Sequence, residues 1–87
     1  MTHARQDDPR VAFGNALRKF RTAKGISQEK LADLAEIHRT YIGDVERGTR
    51  NVALVNMTRI ADALGVPLSR LIAEMEKTPS SARGLAS

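Results

Sequence analysis

The middle of the chain carries side chains that can form hydrogen bonds with a polyanion. Between residues 28 and 56 the polar groups are mostly amides, hydroxyls and guanidinium groups. Nine of the polar residues in this segment are candidates for contact with a partner: Gln28, Arg39, Thr40, Tyr41, Asp44, Arg47, Arg50, Asn51 and Asn56. Arginine presents a planar fork of donors that fits a phosphate or a base edge. No pair of carboxylates and no nucleophile beside a base stands out, so these residues favour recognition over catalysis, and we expect no enzyme.

Composition narrows the class of protein further. A chain of 87 residues has room for one domain. Cysteine is absent, which excludes a disulfide framework and a thiolate zinc site, and two histidines cannot build a metal centre. We therefore expect no metal, no cofactor and no small-molecule ligand.

The charge balance is compatible with a nucleic-acid partner. The chain holds 14 basic and 10 acidic residues, a net charge of +4. Three aromatic residues are too few for a protein that stacks single-stranded bases on its rings. No apolar run approaches the roughly 20 residues that span a bilayer, and the first residues lack an apolar signal segment. We expect a cytoplasmic protein without a membrane partner.

The spacing of apolar residues predicts an all-α fold of five short helices. The first should run from about Arg10 to Lys24, and the second should start at the N-cap Ser27. The others should span about residues 39–47, 54–64 and 67 onwards, and Gly25, Gly48 and Gly65 mark helix ends. The folded domain is expected at residues 10–77, between a flexible arm at 1–9 and a flexible tail at 78–87.

Several side chains receive a structural role from this pattern. Leu31, Leu34 and Ala35 should form the buried stripe of the second helix. Glu46 could hold Arg47 or Arg50 in an ion pair. The first helix should present a solvated basic face, made of Arg18, Lys19 and Arg21.

Residues 27–48 together predict a helix-turn-helix. Ala32 is small, so the two helices can cross closely, and Ile37 fills the angle between them at the turn. Ile42 and Val45 would anchor the second of these helices to the core. Its opposite face could then enter a DNA major groove, which is roughly 12 Å wide.

These residues resemble the phage-repressor-like (XRE-type) helix-turn-helix family, and within it the small controller proteins of restriction–modification systems. The matching blocks are SQEKLA at 27–32, HRTYI at 38–42, VERG at 45–48 and RNVALVN at 50–56. The resemblance covers about residues 11–75 and implies a compact, lambda-repressor-like DNA-binding domain. It implies a sequence-specific regulator of transcription that binds double-stranded DNA as a homodimer on a palindromic operator. Other stand-alone regulators share the blocks, so a restriction–modification controller is one of two alternatives.

Two positions depart from the pattern of that family. Glu36 stands where glycine is frequent, and a non-glycine residue in a left-handed conformation costs roughly 1 kcal/mol. We therefore expect a slightly different turn. Ala53 stands where serine or threonine is frequent, so the fourth helix should lack a side-chain cap.

The family resemblance and the helix-turn-helix geometry assign contacts to the polar residues. The expected base contacts are Arg39, Thr40, Asp44 and Arg50. The expected contacts with the DNA backbone are Gln28, Tyr41, Arg47, Asn51 and Asn56. The alternatives are solvated side chains for Gln28 and the arginines, a capping role for Thr40, surface packing for Tyr41, and for Asp44 either rejection of wrong sites or a simple surface charge. His38 should be a cap or loop residue.

An apolar stripe near the C-terminal end supplies a candidate dimer interface. A domain of this size often gains stability from oligomerisation. The stripe belongs either to the core or to a dimer interface, and its outer part should pair with a second copy together with two valines. The residues concerned are Val52, Val55, Leu68, Leu71, Ile72 and Met75. The rival hypothesis is an antitoxin-like interaction module whose DNA binding is autoregulatory, which a long apolar C-terminal arm would favour.

Overall fold

The computed structural model describes residues 8–77, which form five helices and no strand. The helices are α1 (Pro9–Lys24), α2 (Gln28–Ala35), α3 (Arg39–Arg47), α4 (Leu54–Leu64) and α5 (Leu68–Lys77). The all-α, five-helix prediction is confirmed. The expected tail at 78–87 and residues 1–7 of the expected arm lie outside the described residues. Asp8 and Pro9 do not belong to an arm, because Asp8 caps α1 and Pro9 opens it.

Side-chain caps explain where α1 and α2 begin. The Asp8 side chain accepts a hydrogen bond from the Arg10 backbone N–H, and the Ser27 hydroxyl accepts one from Lys30. These bonds satisfy backbone donors that have no partner inside the helix. Ala53 precedes α4 without a side-chain cap, as its residue type predicts.

The turn after α2 is strained. Glu36 ends α2 in the left-handed region, with φ 59° and ψ 44°. Its backbone N–H still donates to Ala32 and Asp33, as a helix end requires. Glutamate therefore keeps the backbone region that glycine would occupy freely, and the cost is about 1 kcal/mol.

The core is assembled from one face of every helix. Leu17, Leu31, Ile42, Ile60 and Leu71 are fully buried, one from each helix in order. The expectation that Leu34 is buried is wrong, since it is 46% exposed. Leu31 and Ala35 fill the face of α2 that packs on α3 and α4, so Leu34 falls at its edge.

The first helix is the frame against which α3 is placed. Gly14 lies where α1 meets the backbone of α3 at Val45 and Glu46. A Cβ at this position would lie 2.8 Å from the Glu46 carbonyl oxygen and closer still to that of Val45. The absence of a side chain therefore sets the distance between α1 and α3.

An ion pair between Lys19 and Glu74 ties α1 to α5 at the surface. The Lys19 ammonium lies 2.8 Å from the Glu74 carboxylate, and Lys77 approaches the same group at 3.3 Å. The hydrogen bond from Lys19 lowers the pKa of Glu74 below its ordinary value. None of the helices in residues 8–77 is long and apolar enough to cross a membrane.

Candidate nucleic-acid interface

The helix-turn-helix forms as the sequence predicts. A short turn at residues 36–38 joins α2 to α3. Ile42 and Val45 face inward and are almost completely buried, while Ile37 packs against the core from the turn. The inward anchors leave the other face of α3 exposed to solvent.

The exposed first turn of α3 carries the residues expected to read bases. Arg39 and Thr40 are exposed, and Tyr41 is half-buried against the core. His38 occupies the N-cap position but makes no side-chain capping bond. The structure thus brings Arg39, Thr40 and Tyr41 together at the N-terminal end of α3, the end that approaches base edges in helix-turn-helix docking.

Asp44 joins two of the arginines on the same face. Its carboxylate accepts a hydrogen bond from the Arg50 guanidinium at 3.0 Å and another from Arg47 one turn along α3. The Arg50 guanidinium also lies over the Tyr41 ring, 4.7 Å from its centroid, in a cation–π arrangement. The hydrogen bond from Arg50 holds the pKa of Asp44 below its ordinary value.

The ion pair expected for Glu46 is different from the one that forms. Glu46 binds neither Arg47 nor Arg50. Its carboxylate accepts hydrogen bonds from Arg21 Nε at 2.6 Å and Nη2 at 3.1 Å, and from Gln28 Nε2 at 2.9 Å. Asp44 takes the arginines because it lies on the outer face of α3, whereas Glu46 points toward α1.

Arg21 is correspondingly not part of a solvated face. Its side chain is 12% exposed and that of Glu46 is 4% exposed. Arg21 Nη1 also donates to the Ile26 carbonyl at 2.8 Å. The hydrogen bonds to Glu46 raise the pKa of Arg21, so this cation persists at any physiological pH.

The same network holds the side chain of Gln28, an expected phosphate contact. The Gln28 amide stands at the first residue of α2 and is tied through Glu46 to α3 and α1. Its side chain is therefore held in place before any ligand arrives. Sequence reasoning missed this link, although Gly14 and Arg21, seven residues apart on one face of α1, signal a close and polar approach of another helix.

The remaining polar candidates flank α3. Asn51 is exposed in the loop before α4, and Asn56 is half-buried in the first turn of α4. Arg47 and Arg50 are exposed at 64% and 45% of their side chains. The expected contact residues other than Gln28 thus lie on α3, on the loop that follows it and at the start of α4.

The residues expected at a dimer interface differ in their exposure to solvent, and one of them is fully buried. Val55 is 63% exposed, and Val52, Ile72 and Met75 are partly buried around a groove of about 240 Å³ that Phe13 and Met57 also line. Leu68 is partly buried against the core. Leu71 has no exposed surface, so it belongs to the core of the single chain and cannot itself contact a second protein. Leu54, 65% exposed, is an apolar surface residue that the prediction left out.

The fold and the exposed α3 define a helix-turn-helix protein. Comparison with known proteins identifies the family to which this fold belongs. The helix-turn-helix family model matches residues 17–71, well over half of the chain. The chain therefore belongs to this XRE-type family, and it is a transcription regulator of the restriction–modification controller type.

Three relatives carry that assignment. The control protein C.BamHI of Bacillus amyloliquefaciens is 55% identical over 58 residues, which cover 66% of this chain and 72% of C.BamHI. The crystal structure of the controller protein C.AhdI from Aeromonas hydrophila is 53% identical, with a TM-score of 0.70, and the match covers 71% of this chain and 94% of C.AhdI. The controller protein C.Esp1396I is 28% identical, with a TM-score of 0.74, over 79% of this chain and 90% of its own. The relatives are regulators and not enzymes.

Proposed function

We propose that this protein is a sequence-specific regulator that binds a palindromic operator in double-stranded DNA as a homodimer and controls transcription near its own promoter. Its place among the controller-type regulators supplies the class. The proposal that it reads a specific DNA sequence depends on the surface of α3. The observation that carries it is the exposed first turn of α3, anchored from behind by the buried Ile42 and Val45.

In the proposed complex, α3 lies in the major groove. Arg39 bonds the O6 and N7 edge of a guanine, which is the commonest specific contact of an arginine. Thr40 offers its methyl group to a thymine or its hydroxyl to a phosphate. Arg50 reaches a base edge from the loop after α3, where its ion pair with Asp44 opens.

The DNA backbone is held on either side of α3. Gln28, at the N-terminal end of α2, is pre-positioned by Glu46 beside the helix N–H groups that attract phosphate. Tyr41, Arg47, Asn51 and Asn56 supply further phosphate contacts along the same surface. Such contacts fix the register of the protein on the duplex and carry little sequence information.

A match of residue types with C.Esp1396I supports this assignment. That controller has been solved as variants in which an arginine, a threonine or a tyrosine at three consecutive positions is replaced. The chain has the same three residue types in the same order at Arg39, Thr40 and Tyr41. We infer that these three positions are the centre of recognition in this protein.

The homodimer is supported by the apolar surface around Val55. Leu54 and Val55 are exposed at 65% and 63%, next to the groove that Val52, Ile72 and Met75 line. A second copy would cover this surface from the same side, with Leu68 at its margin and Leu71 supporting it from the core. A two-fold pair spaces its recognition helices about 34 Å apart, one turn of DNA.

The test compares two duplexes of equal length, one from the region upstream of the protein's own gene and one with the same bases shuffled. Fluorescence anisotropy at physiological salt measures both affinities. We expect the upstream duplex to bind at least about 100-fold more tightly, since specific binding typically exceeds non-specific binding by more than this. Equal affinities would contradict an operator at that position.

A further inference from the structure

Asp44 places a negative charge in the middle of the surface proposed to bind DNA. Its carboxylate is bound by the guanidinium groups of Arg47 and Arg50, the first from α3 and the second from the following loop. Arg50 is held at the same time over the Tyr41 ring. Two of the cations assigned to DNA are therefore already occupied within the protein.

These ion pairs contribute little to folding. Arg47 and Arg50 expose 64% and 45% of their side chains, and Asp44 exposes 21%. Exposed ion pairs of this kind typically add no more than a small fraction of the stability of a domain. The buried pair of Arg21 and Glu46 already holds α3 against α1. The arrangement around Asp44 therefore bears on binding more than on the fold.

The carboxylate affects specific and non-specific binding unequally. Non-specific binding depends almost entirely on phosphates neutralised by cations. A phosphate that approaches Arg47 or Arg50 must displace Asp44 or remain close to its negative charge. A guanine edge accepts two hydrogen bonds from Arg50 and stabilises the complex more than a phosphate at an arbitrary register does. Operator DNA can therefore break the ion pairs of Asp44, whereas other DNA cannot.

We propose that Asp44 is a specificity-determining residue that suppresses binding to non-operator DNA by occupying Arg47 and Arg50. The inference rests on the proposed function, because it takes α3 to be the DNA-reading helix. Asp44 then discriminates by exclusion rather than by accepting a hydrogen bond from a cytosine amine. Positive charge at this end of the surface becomes available only where the correct bases compensate for the broken ion pairs.

The experiment uses four proteins: wild type, Asp44→Asn, Asp44→Glu and the control Asp62→Asn. Asp44→Asn keeps the shape of the side chain and removes its charge, whereas Asp44→Glu keeps the charge. Asp62 is exposed on α4 in a depression lined by residues of α2, of α4 and by Glu36 of the turn, and by none of α3. Its replacement makes the same change in net charge at a distance from the proposed interface. Circular dichroism confirms that each variant is folded.

The measurements are the affinities for a random-sequence duplex and for the duplex selected as the best ligand of the wild type, each at several salt concentrations. We expect Asp44→Asn to bind the random duplex on the order of tenfold more tightly at low salt, with a steeper salt dependence by about 1–2 in slope for a dimer. Its affinity for the selected duplex should rise less, so the ratio of the two affinities falls. Asp44→Glu and Asp62→Asn should both keep the wild-type ratio.

Three outcomes would overturn the inference. Unchanged binding of the random duplex by Asp44→Asn would show that the carboxylate does not restrain the arginines. An equal rise for both duplexes would show a general charge effect without selection. A loss confined to the selected duplex would assign Asp44 to reading a base. In each of these cases the wild type still prefers its selected duplex, whereas a wild type without any preference would contradict the proposed function itself.

Discussion

The guanidinium of Arg21 and the carboxylate of Glu46 meet in two hydrogen bonds, of 2.6 and 3.1 Å, that join α1 to α3. Gln28 at the start of α2 and the Ile26 carbonyl complete the network. The pair links residues 25 positions apart in sequence and is largely excluded from water. It fixes the helix proposed to read DNA relative to the rest of the domain.

Breaking this pair should destabilise the protein. Glu46→Gln removes the counter-charge of the largely buried Arg21 cation, which keeps its hydrogen bond to the Ile26 carbonyl, and we expect a loss of about 1–3 kcal/mol in the free energy of unfolding. Urea unfolding at neutral pH and fixed protein concentration measures the change. The matched control is Glu74→Gln, which removes an exposed pair with Lys19 and should cost far less. Equal losses in the two variants would contradict the structural importance of the Arg21–Glu46 pair.

The close approach of α1 and α3 should make Gly14 intolerant of a side chain. Gly14→Ala would press a methyl group against the carbonyl oxygens of Val45 and Glu46, and we expect it to cost about 1–3 kcal/mol. Gly43→Ala is the control, because its Cβ would meet only the ends of side chains, Arg47 Nη1 at 3.4 Å and Gln28 Oε1 at 3.6 Å, and no backbone atom. That change should be neutral or stabilise by up to about 1 kcal/mol through helix propensity. Thermal unfolding of both variants would decide, and a stable Gly14→Ala protein would be inconsistent with this packing.

Acid should weaken the domain in a manner that depends on Glu74. The pKa of Glu74 is lowered in the folded protein by the hydrogen bond from Lys19, relative to an ordinary value of 4.5. The stability that the ion pair supplies is therefore present above that value and is lost as the pH falls through the lower folded pKa. Urea unfolding should show a smaller loss between about pH 5 and pH 3 for Glu74→Gln than for the wild type. The same pH dependence in both proteins would show that this carboxylate is not coupled to folding.

Base contacts and backbone contacts should respond differently to substitution. Arg39→Ala should weaken binding to the operator by about 1–3 kcal/mol and relax the sequence preference at one position of each half-site. Asn51→Ala should weaken operator and random duplexes by similar factors, because a phosphate contact carries little sequence information. If each protomer contacts about four phosphates, the affinity of the wild-type dimer should fall with salt with a slope of roughly −7. An Arg39→Ala protein with unchanged affinity and preference would remove Arg39 from the reading surface.

The proposed interface between protomers should be sensitive to charge at Val55. Val55→Lys places a charge on a surface that dimerisation would desolvate, and we expect it to shift the protein toward monomer in sedimentation equilibrium. Leu34→Lys adds the same charge at another exposed apolar residue, on α2, and should leave the association unchanged. Circular dichroism checks that both variants are folded. Association that persists in Val55→Lys would place the interface elsewhere.

The helix boundaries could be predicted closely because the signals that set them are local. Ser27 caps α2, and glycines with positive φ end α1, α3 and α4 at the expected residues. The inward anchors Ile42 and Val45 follow from helical spacing alone. In the structure α1 begins at Pro9, one residue before the predicted Arg10, because Asp8 caps the helix and Pro9 opens it.

The side-chain partners could not be predicted to the same extent. Asp44 and Glu46 are two residues apart in one helix, so they point in different directions, and only the packing of α1 decides which carboxylate is buried. Leu34 shares the apolar character of Leu31 but lies at the edge of the contact between α2 and its neighbours. The burial of Glu46 depends on the distance that Gly14 allows between α1 and α3. The exposure of Leu34 depends on how α2 packs against α3 and α4, and both are tertiary properties.

The most direct test of sequence reading by α3 is the selection of bound duplexes from a random double-stranded library at moderate salt. We expect recovery of one motif with two inverted half-sites, whose centres lie about 34 Å apart or a whole number of turns apart. Arg39→Ala should recover the same arrangement with one base of each half-site relaxed. A folded wild-type protein that enriches no motif would contradict sequence reading by α3 and would leave its positive charge as a source of non-specific attraction only.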